Sequence, residues 1–81
     1  MVTVYVVESV ENGMRYSGLT PRPEQLFSEN QTLQHGPRTA IRNFEVLITE
    51  EYMDYQEAHQ RESFLKSDSG RQWLETMFPR S

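Results

Sequence analysis

Residues 2–10 read Val-Thr-Val-Tyr-Val-Val-Glu-Ser-Val. This stretch is rich in β-branched and aromatic residues, which favour a strand, and its apolar side chains fall on both faces. The dipeptide Asn12-Gly13 follows closely and is typical of a two-residue hairpin turn, because Asn and Gly tolerate positive φ. We therefore expect residues 14–18 to return as a second strand, antiparallel to the first.

The segment after this hairpin predicts a short helix and a loop. Thr20 can cap a helix that runs through residues 24–27, with Pro21 or Pro23 near its first turn. Residues 30–43 read as a long, polar and basic loop.

The remaining segments predict a third strand and two further helices. The strand covers residues 44–49. Asp54 with Glu57 resembles a capping box and starts a helix over about 54–67, and a last helix covers about 69–77. The order ββαβαα predicts an α/β (α+β) fold in one domain that covers the whole chain. We expect a three-stranded antiparallel sheet flanked by helices.

Length and composition exclude several classes of protein. The chain has 81 residues, 36% of them hydrophobic, and no cysteine. Such a chain suffices for one small domain, and it excludes a disulfide scaffold and a structural zinc domain. No apolar run approaches the roughly 18 residues of a membrane span. We therefore expect a cytoplasmic protein that does not bind membranes.

The net charge of −4 argues mildly against a nucleic-acid binder, since such domains are usually basic. The charge is uneven, however: residues 1–13 carry −2, residues 14–42 carry +2 and residues 43–81 carry −4. The arginines of the positive segment are Arg15, Arg22, Arg38 and Arg42. A polyanion is therefore expected to approach the middle of the chain.

Glu62 is the most informative polar residue. In the predicted helix it shares one face with Tyr55, Ala58 and Leu65, at spacings of 3, 4 and 3 residues. A buried carboxylate without a partner is costly. Glu62 therefore needs a cation, a hydrogen-bond network or a position at the edge of the apolar stripe. An edge glutamate paired with a neighbouring arginine is the more common outcome of such a spacing.

Tyr5 and Tyr16 form a second candidate pair. A two-residue turn at Asn12-Gly13 places Ser9 opposite Tyr16, and both tyrosines then share one face of the hairpin. They would lie four residues apart along the strand, roughly 13 Å. A bulge or the length of the side chains would have to bring the phenols together. Tyrosines in strands are more often core residues whose hydroxyl groups find a hydrogen-bond partner.

Two short motifs resemble those that name the GIY-YIG nucleases. They are Val-Tyr-Val at residues 4–6 and, eleven residues after the first tyrosine, Tyr-Ser-Gly at residues 16–18. Residues 57–67 and 70–74 are similar to the C-terminal helices of that family, and the strand around residues 44–47 is in the expected place. The resemblance covers nearly the whole chain in one order.

The resemblance implies a hydrolytic mechanism. In such nucleases the glutamate, here Glu62, binds one divalent metal ion, Mg²⁺ or Mn²⁺, which holds the scissile phosphate. The tyrosines, here Tyr5 and Tyr16, position or deprotonate the attacking water. An arginine on the first helix clamps the phosphate, and its charge matters most in the transition state.

The chain departs from the family at that arginine. The family position, ten residues after the second motif tyrosine, is Leu26, and the polar position four residues later, often histidine, is Asn30. Loss of a transition-state charge contact typically costs about 10²–10³-fold in rate. Arg22 lies one turn upstream and could replace the arginine if the helix were shifted, and Arg38 or Arg42 could do so from the loop.

Three functions from different classes follow, in this order of preference. The first is a degenerate GIY-YIG domain that binds a protein partner and needs no cofactor. The second is an active Mg²⁺- or Mn²⁺-dependent endonuclease acting on DNA or RNA, with Arg22 as a relocated clamp. The third is a non-catalytic nucleic-acid binder. Its candidate phosphate contacts are Arg15, Arg22, Arg38, Arg42 and His35, the last of which is otherwise an exposed loop histidine.

Overall fold

The computed structural model describes residues 1–28, 32–34 and 40–80. In chain order the elements are β1 (Val2–Ser9), β2 (Arg15–Thr20), α1 (Pro23–Ser28), β3 (Thr32–Gln34), β4 (Ala40–Arg42), β5 (Phe44–Tyr52), α2 (Tyr55–Lys66) and α3 (Asp68–Met77). Strands β2, β1 and β5 form an antiparallel sheet with β1 in the middle, and β3 pairs with β4 in a second sheet. The predicted three-stranded sheet with flanking helices is confirmed. No helix in the described ranges is long and apolar enough to cross a membrane.

Strand β1 buries both of its faces, as its sequence predicts. The side chains of Val4 and Val6 are completely buried and pack with Ala58 and Leu65 of α2 and Leu74 of α3. Successive side chains of a strand point to opposite faces. Helices α2 and α3 therefore cover one face of the sheet, and the residues between these valines must be covered from the other side.

The opposite face of β1 is covered by a β-ribbon that the sequence analysis missed. Residues 30–43 do not form only a polar loop, because β3 and β4 pair there with Leu33 directly opposite Ile41. Both side chains are buried and form a cluster with Tyr5 and Val7. Each of these strands has only three residues, too few to show the periodicity that predicts a strand. The observed order is therefore ββαβββαα.

The β1–β2 hairpin has a longer loop than expected. The Ser9 N–H donates to the Met14 carbonyl and the Gly13 N–H donates to the Ser9 carbonyl, both at 2.8 Å. Gly13 adopts a positive φ of 72°, whereas Asn12 does not. Instead, the Asn12 side-chain oxygen accepts the Met14 N–H at 2.9 Å, which closes a local Asx turn. The two-residue turn is therefore wrong, and four residues form the loop.

This loop changes the register of the hairpin but keeps the two tyrosines on one face. Tyr16 lies opposite Val7 rather than Ser9, and Tyr5 lies opposite Gly18. A shift of two residues preserves the side-chain parity. It also places Tyr5 and Tyr16 only two residues apart along the strand, about 7 Å. No bulge between β1 and β2 is needed to bring them close.

Side-chain caps set the start of both C-terminal helices. The Asp54 carboxylate accepts the Gln56 N–H at 2.9 Å and starts α2, as predicted. The Ser67 hydroxyl accepts the Gly70 N–H at 3.1 Å and starts α3 immediately afterwards. One detail of the predicted stripe is wrong: Tyr55, the first residue of α2, is exposed.

The packing of the β-ribbon can be tested by shortening Leu33. Leu33→Ala removes a completely buried side chain, so we expect it to lower the free energy of unfolding by about 2–5 kcal/mol. Urea denaturation followed by circular dichroism measures this change. Val46→Ala is the control, because Val46 is an exposed apolar residue of β5. If Leu33→Ala lowers the free energy of unfolding no more than Val46→Ala does, the packing of β3 on β1 is contradicted.

Candidate active site

Tyr5 is a core residue whose phenol is fixed against the neighbouring strand. Its side chain is 4% exposed. A Cβ atom built on Gly18 would overlap the hydroxyl and the ring of Tyr5, so the phenol lies directly over Gly18. Only glycine leaves room for this close approach. The glycine of the second motif therefore positions the tyrosine of the first.

Tyr16 packs beside Tyr5 at the edge of the same cluster. It is half-buried against the group that contains Tyr5, Val7 and Leu33. Its hydroxyl donates to the sulfur of Met14 at 3.7 Å. The shared face of the hairpin therefore places the two motif tyrosines side by side, Tyr5 on the central strand β1 and Tyr16 on the edge strand β2.

Glu62 lies close enough to Tyr5 to affect its ionisation. Burial raises the pKa of the Tyr5 phenol above its ordinary value of 10.0, and the negative charge of Glu62 raises this pKa further. Both effects disfavour the tyrosinate. A phenol that keeps its proton at neutral pH can orient a water molecule by hydrogen bonding, but it is a poor base. In this state Tyr5 is suited to positioning rather than to deprotonation.

The cation that Glu62 requires is a lysine rather than an arginine. The Glu62 side chain is 15% exposed, and its carboxylate lies 3.4 Å from the ammonium group of Lys66, one turn along α2. Ala58 and Leu65 on either side of it are buried. Glu62 therefore projects from the apolar stripe of α2, as predicted, and the expected arginine partner is wrong.

Leu26 is the residue at which the resemblance to the family leads us to expect an arginine. It is half-buried and packs against the cluster that contains Tyr5 and Val7. Arg22 precedes α1, and its N–H donates to the Thr20 hydroxyl at 3.1 Å. The Arg22 carbonyl accepts the N–H of Leu26 at 3.2 Å, so Arg22 occupies the N-terminal end of the helix. Its side chain is exposed.

The comparison with protein families agrees with this arrangement. The family model of the GIY-YIG catalytic domain matches residues 1–75 of the chain. The chain belongs to the GIY-YIG family. The matched range includes both motif tyrosines, Leu26 and Glu62. The fold of the chain is the nuclease fold of that family. No match was found among curated proteins, and none among solved structures.

GIY-YIG nucleases generally use a divalent metal ion, and Glu62 suits such an ion on chemical grounds. No group of three or more potential ligands for a metal occurs within residues 1–28, 32–34 and 40–80. Mg²⁺ often binds through one or two carboxylates, together with water and substrate phosphates. A single glutamate is therefore sufficient on the protein side. The metal would compete with Lys66 for this carboxylate.

The remaining candidate residues fall into three environments. Arg15 is 9% exposed, and its guanidinium contacts the Glu8 carboxylate at 3.2 Å. It also donates to the Phe78 carbonyl. Arg42 is exposed at the end of β4. Asn30, His35 and Arg38 lie outside the described residues, so their assigned roles stay predictions.

The structure also shows a polar cluster that the sequence analysis did not identify. Arg61 contacts both carboxylate oxygens of Glu50, at 2.9 and 3.2 Å. The Tyr52 hydroxyl donates to the same carboxylate at 2.9 Å. The Arg61 guanidinium also lies 4.8 Å from the centre of the Trp73 ring, a cation–π distance. This cluster joins β5, α2 and α3. Arg61 is eleven residues from Glu50 and twelve from Trp73, so no local pattern indicates these contacts.

The influence of Glu62 on Tyr5 can be tested directly. Glu62→Gln removes a negative charge, so we expect the pKa of Tyr5 to fall toward 10.0 while burial still holds it above that value. A pH titration of ¹³C-labelled tyrosine by NMR measures this pKa. In Glu57→Gln, a control on the same helix, the pKa of Tyr52 should fall instead, because the charge of Glu57 raises it. An unchanged pKa of Tyr5 in Glu62→Gln would contradict the electrostatic effect of Glu62 on Tyr5.

The raised pKa of Tyr5 also has a consequence for stability. The unfolded chain ionises this phenol near pH 10.0, and the folded chain ionises it only at higher pH. The contribution of Tyr5 to the free energy of unfolding is therefore fully present below about pH 10. It is lost as the pH rises through the pKa of Tyr5 in the folded chain. We expect Tyr5→Phe to show a smaller loss of unfolding free energy above pH 10 than the wild type.

Proposed function

We propose that this GIY-YIG domain has lost most of its phosphodiester hydrolysis and acts by binding a protein partner. The observation that carries the proposal is the place of Leu26, which packs against the Tyr5 cluster at the position of the family arginine. An apolar side chain there gives no charge to a phosphate in the transition state. Arg22 is confined to the end of α1 between two prolines, so the helix cannot easily shift by a turn.

The proposed partner is a protein with a basic surface. Strand β5 is an edge strand of the three-stranded sheet, and α2 begins shortly after it. Exposed acidic side chains follow this part of the chain, namely Glu45, Glu51, Asp54 and Glu57. Complementary charge steers association and selects partners. An acidic surface of this kind therefore favours a basic protein over a polyanion.

The catalytic part of the proposal predicts that Leu26→Arg restores hydrolysis. We expect metal-dependent cleavage of labelled DNA or RNA to rise by about 10²-fold, because the missing transition-state charge is supplied. Leu26→Met, which keeps an apolar side chain of similar size, is the matched control and should show no gain. The double variant Leu26→Arg with Glu62→Gln should lose the gain. A folded Leu26→Arg chain without increased cleavage would contradict the role assigned to Leu26.

The binding part predicts that charge reversal at the acidic surface weakens association. Glu51→Lys combined with Glu57→Lys should weaken binding to an arginine-rich test protein, measured by calorimetry at two salt concentrations. The effect should shrink at high salt because exposed charges are screened. Glu11→Lys, an exposed acidic residue in the β1–β2 loop, is the control. Equal losses of affinity in the double variant and in Glu11→Lys would contradict the proposed surface and show attraction by net charge alone.

A second candidate, an active Mg²⁺-dependent endonuclease, is favoured by one observation. The negative charge of Glu62 raises the pKa of Tyr5, so these two residues lie within electrostatic reach of each other. In that function Glu62 would hold the metal, Tyr5 and Tyr16 would orient the attacking water, and Arg22 or another arginine would contact the phosphate. This function predicts that Arg22→Ala abolishes cleavage by the wild-type chain.

A further inference from the structure

Strand β5 forms an open edge of the three-stranded sheet. It has nine residues, and among residues 1–28, 32–34 and 40–80 its only neighbouring strand is β1. The backbone groups on its outer side therefore have no strand partner in that part of the chain. An edge of this length is a template on which an extended segment of another protein can pair.

The hydrogen bonds at the end of β1 show how its residues alternate between the two neighbouring strands. The N–H of Ser9 donates to the carbonyl of Met14, just before β2, at 2.8 Å. The N–H of Val10 donates to the carbonyl of Asn43, just before β5, at 2.8 Å. Because this alternation continues along a strand, the even-numbered residues of β1 direct their backbone groups to β5.

This alternation identifies the outward-facing backbone groups of β5. Val4 of β1 lies opposite Glu50, so Glu50 directs its N–H and C=O groups inward, to β1. The residues on either side of it, Thr49 and Glu51, therefore direct their N–H and C=O groups outward. The register shift between β1 and β5 lies nearer the start of β5 and leaves this stretch regularly paired.

The two faces of this edge differ in chemistry. The side chains of Thr49 and Glu51 point to one face, and both residues are exposed. Ile48 and Tyr52 point to the other face, where both are half-buried and pack against the core under α2 and α3. Successive side chains of an added strand would point to the same two faces. A matching segment therefore alternates polar and apolar residues.

Charge determines which polar residues suit this edge. Strand β5 contains three glutamates and no basic residue. Glu50 is compensated by Arg61 at 2.9 Å, whereas Glu45 and Glu51 are exposed. Pairing of β5 with the β5 of a second copy would double this negative charge, and like charges on neighbouring strands destabilise a sheet. The edge therefore disfavours a second copy and favours a basic strand.

We propose that an extended segment of the partner protein, with basic and apolar residues in alternation, pairs with β5 as a fourth strand. This inference rests on the proposed binding of a basic protein and specifies how that protein is bound. The backbone of the segment bonds to Thr49 and Glu51, and a basic side chain faces Glu51. Its apolar side chains extend the cover of Ile48 and Tyr52. In such pairing, main-chain hydrogen bonds give affinity and alternate side chains give specificity.

Two peptides of about eight residues, within the usual length of a strand, test the pairing. One alternates arginine and valine. The other has the same composition, with all of its arginines before all of its valines, and controls for attraction by net charge. Calorimetry on the full chain measures both affinities. We expect the alternating peptide to bind roughly fivefold more tightly, because only its side chains match both faces of β5.

Hydrogen exchange of the ¹⁵N-labelled full chain locates the peptide on the backbone. The bound alternating peptide should slow exchange of the Thr49 and Glu51 amides by about tenfold or more at saturation, because their N–H groups gain acceptors. The amide of Glu50 is the internal control. Its N–H already faces β1, so its exchange should change much less.

A charge variant tests the predicted contact with the basic side chain. Glu51→Gln should weaken binding of the alternating peptide by about two- to fivefold, as expected for one exposed ion pair. Glu11→Gln, at an exposed carboxylate of the β1–β2 loop, is the matched control and should leave the affinity nearly unchanged.

Four results would overturn the strand pairing and leave the basic partner in place. They are equal affinity of the two peptides, binding without protection of the Thr49 and Glu51 amides, equal losses in Glu51→Gln and Glu11→Gln, and binding of the arginine-rich test protein but not of the alternating peptide. Failure of both that protein and the peptide to bind would contradict the acidic surface itself, and the pairing with it.

Discussion

The fold depends on the burial of β1 on both faces. Val4 and Val6 point to one side, Tyr5 and Val7 to the other, and all four are 4% exposed or less. A chain of 81 residues must bury most of its apolar side chains to be stable. Each face of β1 therefore requires its own covering layer. Helices α2 and α3 provide one layer. Helix α1 and the β3–β4 ribbon provide the other, which is why a polar-looking segment contributes to the core.

The candidate site is a consequence of this arrangement. Tyr5 is both a core residue and a motif residue, and its phenol packs directly over Gly18. Leu26 adds an apolar contact to the same cluster. An arginine there would bring a cation, with its desolvation cost, beside Tyr5. Leu26 therefore supports the core at the position where the resemblance to the family leads us to expect an arginine.

The sequence predicts those features that depend on neighbouring residues. The two-faced pattern of β1, the Asp54 cap of α2 and the shared face of the tyrosines all follow from local spacing. The pairing of Leu33 with Ile41 does not, because each is an isolated apolar residue whose burial depends on a distant segment. A groove lined by β2, α2 and α3 was missed for a related reason. Charge summed along the chain does not show that Arg15 and Arg71 line the same groove.

We propose that this GIY-YIG domain, in which the charge of Glu62 reaches Tyr5, no longer hydrolyses phosphodiesters efficiently. The most direct measurement is cleavage of labelled single- and double-stranded DNA and RNA by the wild-type chain with Mg²⁺ or Mn²⁺, beside Glu62→Gln. We expect the two proteins to show the same background with every substrate. Metal-dependent cleavage by the wild type that disappears in Glu62→Gln would contradict the claim and establish an active endonuclease.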